Sequence, residues 1–304
     1  MKPAPEPSVD QDRGEAFDIH ACATTPVIDE RRPVVVAISG DQPNLLSFAA
    51  ELAQMFDAPL RVMHTQSFQM STVELFASRE AGTILYKAAA RILDAARDTL
   101  VAYPSIEVEY TMRYEPTVFA IETESQDAAM VVLGADDLRR LEPLARPDVA
   151  RRSALHSACP VVVVPPDMRT PSLEEAVVAL DIDNVVDEAL NFALEVADRT
   201  GARVRVIAVV SPDMDTDRRT GCEERLQGIV ARSRTAFPRV AIRAQLISGD
   251  PSDVLAGEAR RARLIVVGHP NQPHRAPLFS KRVAASLLRT TRCAVVVVPV
   301  AHES

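Results

Sequence analysis

The feature that most constrains this chain is a long internal repeat. An apolar run ending in glycine occurs at 130–134 and again at 264–268. Each run leads to a stretch of four valines, Val161 to Val164 in the first case and Val295 to Val298 in the second. The two glycines are 134 positions apart (268 − 134), and so are the valine runs (295 − 161). An internal repeat has to be recognised before any fold is assigned, and this one predicts two similar domains in tandem.

A second landmark shows where the two copies differ in length. The segment Phe48–Ala53 resembles Phe192–Ala197, but these segments are 144 positions apart (192 − 48). The first copy therefore carries about ten extra residues, which we assign to a loop insertion at 66–79. The dipeptides Glu115-Pro116 and Asp250-Pro251 also match. Each is expected to place an acidic N-cap before a proline in the first helical turn.

Length and composition agree with two globular domains. The 304 residues suit two domains of roughly 150 residues, each with its own core. Aromatic residues make up only 4% and Trp is absent, so Val, Leu, Ile and Ala must fill the cores, as is typical of buried parallel sheets. The net charge of -8 and a pI near 5.4 argue against a general affinity for nucleic acid or anionic membrane.

Other features bear on location and metal chemistry. No apolar run approaches the ~18 residues of a membrane span, and the first thirty residues do not resemble a signal peptide, so we expect a soluble, cytoplasmic protein. The four cysteines include no Cys-x-x-Cys pair, and His20 with Cys22 is too small a set for a metal site. Cys159 and Cys293, at matching positions, are interpreted as buried, inert thiols and not as a redox pair.

Strands and helices are predicted to alternate within each copy. The expected strands are 33–38, 60–64, 106–110, a fourth ending at 134 and the valine run in the first copy, and 176–180, 204–209, 240–246, a fourth ending at 268 and the valine run in the second. Strand three alternates apolar and charged residues, which favours an edge position. The sequence therefore predicts an α/β fold of two tandem doubly wound domains, each a five-stranded parallel sheet in the order 3-2-1-4-5 with helices on both faces.

The helix between strands two and three is predicted to bury a single stripe of residues. In the first copy this stripe contains Ile84, Leu85, Ala88, Ile92, Ala96 and Leu100; a shorter counterpart in the second contains Leu226, Ile229, Val230 and Ser233. The expected domain limits are a flexible tail at 1–31, a first domain at 32–166, a stiff proline-rich linker at 167–173 and a second domain at 174–301.

Four segments resemble the universal stress protein family. They are the Val-Val-Ala-Leu-Asp strand ending at Asp181, the turn Gly249-Asp250-Pro251, the Ile-Val-Val-Gly strand ending at Gly268, and the Cys-Pro-Val-Val-Val-Val-Pro segment that closes the first copy. The likeness extends from about Pro33 to Pro299. It implies a role in stress responses. It also implies that the two valine strands pair across a two-fold axis as an intramolecular pseudo-dimer, which would bury edges prone to aggregation.

Members of this family that bind ATP share an Asp after strand one and a Gly-x-x-Gly, nine residues, Gly-Ser/Thr run after strand four. Glycines allow backbone amides to approach phosphate oxygens closely. In the first copy Ser39 replaces the Asp, Asp137 beside Asp136 replaces the second Gly, and Pro147-Asp148 replaces the Gly-Ser pair. Three carboxylates would repel a triphosphate and Pro147 lacks an amide donor, so this copy is not expected to bind ATP as the family does.

The second copy keeps more of the pattern. Asp181 and Gly268 remain, whereas Asn271 replaces the second Gly and Lys281-Arg282 replace Gly-Ser, so that side chains would have to hold a phosphate. The residues that would line a nucleotide site are Asp181, Val209, Gly268, His269, Asn271, Lys281 and Arg282. Two alternatives stay open: Asp181 as a cap of the turn after its strand, and the basic residues around Lys281 as a solvated helix start.

These observations favour a protein that is not an enzyme. No Gly-x-Ser-x-Gly elbow occurs, and the segments 39–42 and 181–184 lack the glycine-rich loop of nucleotide-transferring enzymes. The first hypothesis is a stress-response protein that acts through unidentified protein partners or regulation, with degenerate nucleotide sites. The alternative is a stress protein that binds ATP in its second domain with slow or no hydrolysis. Whether two chains associate further stays open.

Overall fold

The computed structural model describes residues 27–66, 79–135, 149–168, 174–183, 185–269, 283–284, 286–288 and 293–299. The first copy consists of β1 (Val34–Ile38), α1 (Pro43–Met55), β2 (Leu60–Thr65), α2 (Arg79–Leu100), β3 (Val108–Arg113), α3 (Thr117–Glu124), β4 (Met130–Gly134), α4 (Val149–His156) and β5 (Val161–Val164). The second consists of β6 (Glu175–Leu180), α5 (Asp187–Thr200), β7 (Arg203–Val210), α6 (Thr216–Ala236), β8 (Ala241–Ser248), α7 (Pro251–Ala259), β9 (Leu264–His269) and β10 (Ala294–Pro299).

The strand order confirms the predicted topology in both copies. The first copy runs β3-β2-β1-β4-β5 and the second runs β8-β7-β6-β9-β10, with parallel pairing throughout each copy. All five residues of β1 are buried, because helices cover both faces of a central parallel strand. The alternating strands β3 and β8 occupy the two edges of the sheet, as predicted.

The two valine strands join the copies. Strand β5 pairs antiparallel with β10, and Val162 lies opposite Val296 with a valine pair on either side. Val162 and Val296 occupy equivalent positions, 134 apart (296 − 162), so the pseudo-two-fold axis passes between them. This confirms the intramolecular pseudo-dimer. It also means that the ten strands form one continuous hydrogen-bonded sheet and not two separate ones.

Two hydrophobic cores are present, but they are divided differently from the expectation of one core for each copy. One core lies on the face of the sheet covered by α1, α2, α5 and α6, and the other on the face covered by α3, α4 and α7. Each core contains residues of both copies: Val162 and Val296 belong to the first, Val161 and Val297 to the second. The valine ladder brings the two sheets edge to edge, so apolar packing continues across the axis on both faces.

The sequence pattern predicted the buried residues of α2 only in part. Ile84 is 67% exposed and Ala88 is also exposed, whereas Ala89, Leu93, Ala96 and Leu100 are buried. In the first part of the helix, the buried positions Ala89 and Leu93 therefore lie one residue C-terminal to the predicted Ala88 and Ile92. In α6 the predicted stripe is confirmed, since Leu226, Ile229, Val230 and Ser233 are all buried. Helix α6, predicted to be the shorter counterpart, is shorter by one residue, with 21 residues against 22 in α2.

The match between the two acidic-proline dipeptides is out of register by one residue. Helix α3 starts at Thr117 with Pro116 as its N-cap, so Glu115 is not the cap. Helix α7 starts at Pro251, and the side chain of Asp250 accepts hydrogen bonds from two backbone amides of the first turn. The expected N-cap is thus confirmed only in the second copy. The proposed insertion at 66–79 falls almost entirely outside the described residues.

Residues 27–31, expected to belong to a flexible tail, pack against the second copy. Ile28 is 2% exposed and belongs to the first core. The backbone amides of Val27 and Ile28 donate to the carboxylate of Glu195 in α5. The pattern-based prediction is wrong for this segment because its contacts come from residues far away in the sequence.

An ion pair absent from the sequence-based predictions occurs at the same place in both copies. Arg61 Nη1 lies 2.7 Å from Glu124 Oε2 in the first copy, and Arg205 Nη1 lies 2.5 Å from Glu258 Oε2 in the second. The Glu124 side chain is only 2% exposed and also accepts hydrogen bonds from Arg113. Burial alone would raise the pKa of Glu124, but the hydrogen bonds and charges of Arg113 and Arg61 outweigh it and lower the pKa below its ordinary 4.5.

We predict that Glu124→Gln lowers the free energy of unfolding at pH 7 by about 3 kcal/mol, because it leaves two arginines without their buried partner. Since the native pKa of Glu124 is lowered, its contribution is complete above pH 4.5 and disappears as the pH falls through the native pKa. Urea unfolding at a series of pH values should show the difference from wild type shrinking in acid. Glu258→Gln is the matched control in the second copy. An unchanged free energy at pH 7 would contradict this account.

Candidate functional site

The predicted nucleotide site falls at the carboxyl edge of the second copy. Strand β6 is flanked by β7 and β9, and all three run in the same direction, so their carboxyl ends meet at one edge. Extending the β6–β7 register by one residue places Asp181 level with Val209, and extending the β6–β9 register by two residues places it level with His269. This is the edge at which ligands bind in open α/β sheets. The structure describes four of the seven predicted residues. They lie on three neighbouring strands or just beyond them: Asp181, Val209, Gly268 and His269.

Asp181 closes the loop that follows its own strand. Its Oδ1 accepts a hydrogen bond of 3.1 Å from the backbone amide of Asp183, which is an Asx turn. The N-cap of α5 is Val186, with no side-chain cap. One of the two interpretations left open by the sequence, Asp181 as a turn cap, thus has a direct geometric basis.

Gly268 is required by packing. A Cβ atom added there would lie 2.5 Å from Cβ of Val186 and 2.8 Å from each of its methyl groups. No real Cβ makes contacts that short, so Val186 occupies the space in which a side chain of residue 268 would stand. The sequence alone suggested phosphate approach as the reason for this glycine. The structure supplies a sufficient reason within the protein, the contact with the start of α5.

His269 and Val209 are strand residues with limited access to solvent. His269 is buried at the end of β9, opposite Pro299. Val209 is half-buried and packs against the second core. The remaining predicted residues, Asn271, Lys281 and Arg282, lie outside the described residues, as do Asp136, Asp137 and the Pro147-Asp148 pair of the first copy.

Sequence reasoning missed a group of arginines on α6 at this edge. Arg225 donates to the carboxylate of Asp183 at 3.1 Å, and Arg218 lies 3.7 Å from the same carboxylate. Arg219 donates to Ser248 Oγ at 2.6 Å and pairs with Glu223. The spacing of Arg218 and Arg225, seven residues apart on a helix, is the signal that could have shown that they share a face. Their charge is largely balanced by these carboxylates.

The equivalent edge of the first copy has a different surface. Tyr86, Tyr114 and Phe119 are 57 to 59% exposed. We call these three residues the aromatic edge. Tyr114 follows β3, and a 2.7 Å hydrogen bond between the hydroxyls of Thr65 and Thr117 ties the end of β2 to the start of α3, which carries Phe119. Tyr114 and Phe119 therefore lie towards the carboxyl ends of β2 and β3, whereas Tyr86 lies on α2, which covers the opposite face of the sheet from α3.

The repeat shows what the second copy has at the same places. At the offset of 134 that relates α3 to α7, Tyr114 corresponds to Ser248 and Phe119 to Asp253, both exposed. Arg218 and Arg219 lie on the part of α6 that corresponds to the turn of α2 bearing Tyr86. The same backbone positions are thus aromatic in one copy and polar or charged in the other.

The remaining features concern metal ligands, membrane spans and thiols. In the described parts of the chain, no three His, Cys, Asp or Glu side chains come together where they could hold a metal ion. No helix among the described residues is long and apolar enough to cross a membrane. Cys159 and Cys293 are buried cysteines at opposite ends of the antiparallel ladder, and burial raises the pKa of Cys159 to about 12. This confirms that both thiols are buried.

We predict that Gly268→Ala lowers the free energy of unfolding by about 2 kcal/mol, because the new Cβ overlaps Val186. Adding Val186→Gly removes the overlapping side chain and should restore much of the unfolding free energy lost to the overlap. Urea unfolding of both single variants and of the double variant measures this as a coupling free energy. Gly221→Ala is the control: it lies in α6 with nothing within 4 Å, and should stabilise by about 0.5 kcal/mol. A Gly268→Ala variant as stable as wild type would contradict the packing explanation.

Comparison with known proteins agrees with the duplicated fold. The sequence model of the universal stress protein family matches residues 30–165 and again 174–299. A universal stress protein of Mycobacterium tuberculosis is 26% identical over 255 residues, which cover 79% of this chain and 87% of the relative.

Solved structures show the same architecture. A universal stress protein from Archaeoglobus fulgidus superposes with a TM-score of 0.68 at 16% identity, covering 91% of this chain and all of that one. A putative universal stress protein from Pseudomonas aeruginosa gives 0.62 at 14% identity, covering 89% of this chain and 94% of that one. The two family matches together span most of the sequence. The chain therefore belongs to the universal stress protein family, as a member with two tandem domains.

Proposed function

We propose that this protein acts in a stress response by binding a protein partner through the aromatic edge, in the cytoplasm and without catalysing a reaction. The observation that carries the proposal is the difference between the two edges. The side chains of Tyr86, Tyr114 and Phe119 are more than half exposed, and exposing their apolar surface to water is unfavourable in free energy. The second copy avoids this cost at two of the positions, where it has Ser248 and Asp253. Aromatic residues are enriched at protein interaction sites relative to the rest of the surface.

The state of the phosphate cradle supports a role other than nucleotide chemistry. The first copy has lost the family's glycines after β4, and in the second copy Gly268 packs against Val186 while Asp181 caps its own loop. Neither residue needs a nucleotide to account for its identity. The family pattern has therefore been retained in the second copy at positions where it also serves the fold.

We predict that Tyr114→Ser with Phe119→Asp, which installs the residues of the second copy, abolishes partner binding and changes the free energy of unfolding by less than about 1 kcal/mol. The measurement is affinity capture from stressed cells of the source organism, with quantitative mass spectrometry of wild type against variant. Val101→Ser is the control, because Val101 is an exposed apolar residue at the far end of α2. If the double variant captures the same proteins in the same amounts as wild type, the aromatic edge is not the binding surface.

The alternative function is ATP binding in the second domain with slow or no hydrolysis. A universal stress protein from Archaeoglobus fulgidus has been solved in complex with dAMP. In this chain, Asp181 and Val209 lie at the ends of neighbouring strands, where a nucleoside would have to be held.

Titration of a fluorescent ATP analogue against wild type and Asp181→Ala separates the two functions. Our proposal predicts no saturable binding at micromolar concentrations. Saturable binding that is lost in Asp181→Ala would favour the alternative.

A further inference from the structure

The N-terminal segment that precedes β1 makes a set of contacts with the second copy that the repeat does not predict. Val27 N donates to Glu195 Oε1 at 2.8 Å, and Ile28 N donates to Oε2 of the same carboxylate at 3.3 Å. The side chain of Ile28 is buried in the first core, and Val27 packs partly against it. A carboxylate that receives two consecutive backbone amides holds this bent segment in one register.

A second side chain of α5 fixes the acidic residue that follows. Arg199 pairs with the carboxylate of Glu30. Its guanidinium also donates to the carbonyl oxygen of Met55 at 3.3 Å and stacks on the ring of Phe56, 5.0 Å from its centroid. The guanidinium is thus held in place by the end of α1 before it meets Glu30. Such a preorganised arginine binds a carboxylate at a lower cost in side-chain entropy.

These contacts lie close to the pseudo-two-fold axis. Arg199 and Met55 occupy equivalent positions, 144 apart (199 − 55), the same offset that relates the first helices of the copies. Two equivalent positions can meet only near the axis. The arm formed by residues 27–32 therefore crosses from the first copy to the place where α1 and α5 meet, while Arg32 binds the carbonyl oxygen of Gln126 in the first copy at 2.9 Å.

The first copy uses the matching glutamate differently. Glu51 corresponds to Glu195, and its carboxylate is hydrogen-bonded by Tyr103. The residue that corresponds to Tyr103 in the second copy is Phe237, which has no hydroxyl to offer. Burial raises the pKa of Glu195, and the amides of Val27 and Ile28 offset this only in part. A half-buried carboxylate without the tyrosine has to find donors elsewhere, and the arm supplies them.

We propose that Glu195 and Arg199, with the end of α1, form a peptide-binding site that recognises a bent segment of two apolar residues, any residue and an acidic residue, and that the chain's own Val27–Glu30 fills it in cis. The apolar pair is read by burial of the second side chain and by its amides. The acidic residue is read by Arg199. Through the arm, α5 and the end of α1, the site connects the two copies by contacts that are separate from the valine ladder in the sheet.

Hydrogen exchange on the full chain tests the contacts of the arm. We predict that Glu195→Met raises the exchange rates of the Val27 and Ile28 amides at least tenfold, because both lose their acceptor, while amides of β1 are unchanged. Glu51→Met is the matched control, since it changes the equivalent position in α1 and should leave the arm protected. Equal protection of the arm in wild type and Glu195→Met would overturn the proposal.

Binding in trans tests the recognition. The probe is a fluorescent synthetic peptide of residues 26–32, added to full-length wild type and to full-length Ile28→Asp, in which the arm is released. The tethered arm acts at an effective concentration in the millimolar range, so the peptide should bind Ile28→Asp at least tenfold more tightly than wild type.

The peptide should lose this binding when Glu195→Met is added, and a peptide with Ala in place of Glu30 should bind more weakly. If wild type and Ile28→Asp bind the peptide equally, or neither binds it, the site does not recognise this sequence.

Discussion

The pairing of Val161–Val163 with Val295–Val297 is the constraint on which the rest of the structure depends. A five-stranded parallel sheet that ends in four consecutive valines has an edge with unpaired backbone groups and apolar side chains on both faces, which is a site for aggregation. Antiparallel pairing with the same strand of the other copy satisfies those groups and buries β5 and β10 completely. Because the pair is centred on equivalent residues, the position of the axis follows from this ladder. Both hydrophobic cores then extend across it.

The sequence predicted the parts of the fold that depend on local pattern and on the repeat. The strand positions, their order and the edge strands follow from apolar runs and from the fixed offset between copies, whereas the valine pairing was implied by the resemblance to the universal stress protein family. The face of α2 was misjudged because Ile84 and Ala89 both fit a helical period, and only the packing against α1 and the sheet selects one of the two stripes. The arm at 27–32 and the pair between Arg61 and Glu124 could not be found, since each joins residues far apart in the sequence.

At the candidate site, the predicted residues that the structure describes lie at one edge of the sheet, but the sequence did not reveal the contacts that Asp181 and Gly268 make. Asp181 and Gly268 match a phosphate-binding pattern, yet in the structure one caps a turn and the other accommodates Val186. A motif read from sequence cannot distinguish a glycine needed by a ligand from one needed by a neighbouring valine. The arginines of α6 and the aromatic edge were missed because they become significant only when the two copies are superposed. Equivalent positions carry aromatic residues in the first copy and polar or charged residues in the second. A duplicated domain can in this way keep one fold while the surfaces of its two copies differ.

The most direct test of the duplicated, axis-centred architecture is hydrogen exchange of the valine ladder in the intact protein. The account predicts that every amide from Val161 to Val163 and from Val295 to Val297, including those directed across the ladder, exchanges as slowly as the amides of the central strands β1 and β6. Alternate amides of β5 and β10 that exchange as rapidly as the solvent-facing amides of β3 and β8 would show that the two copies are not joined through these strands.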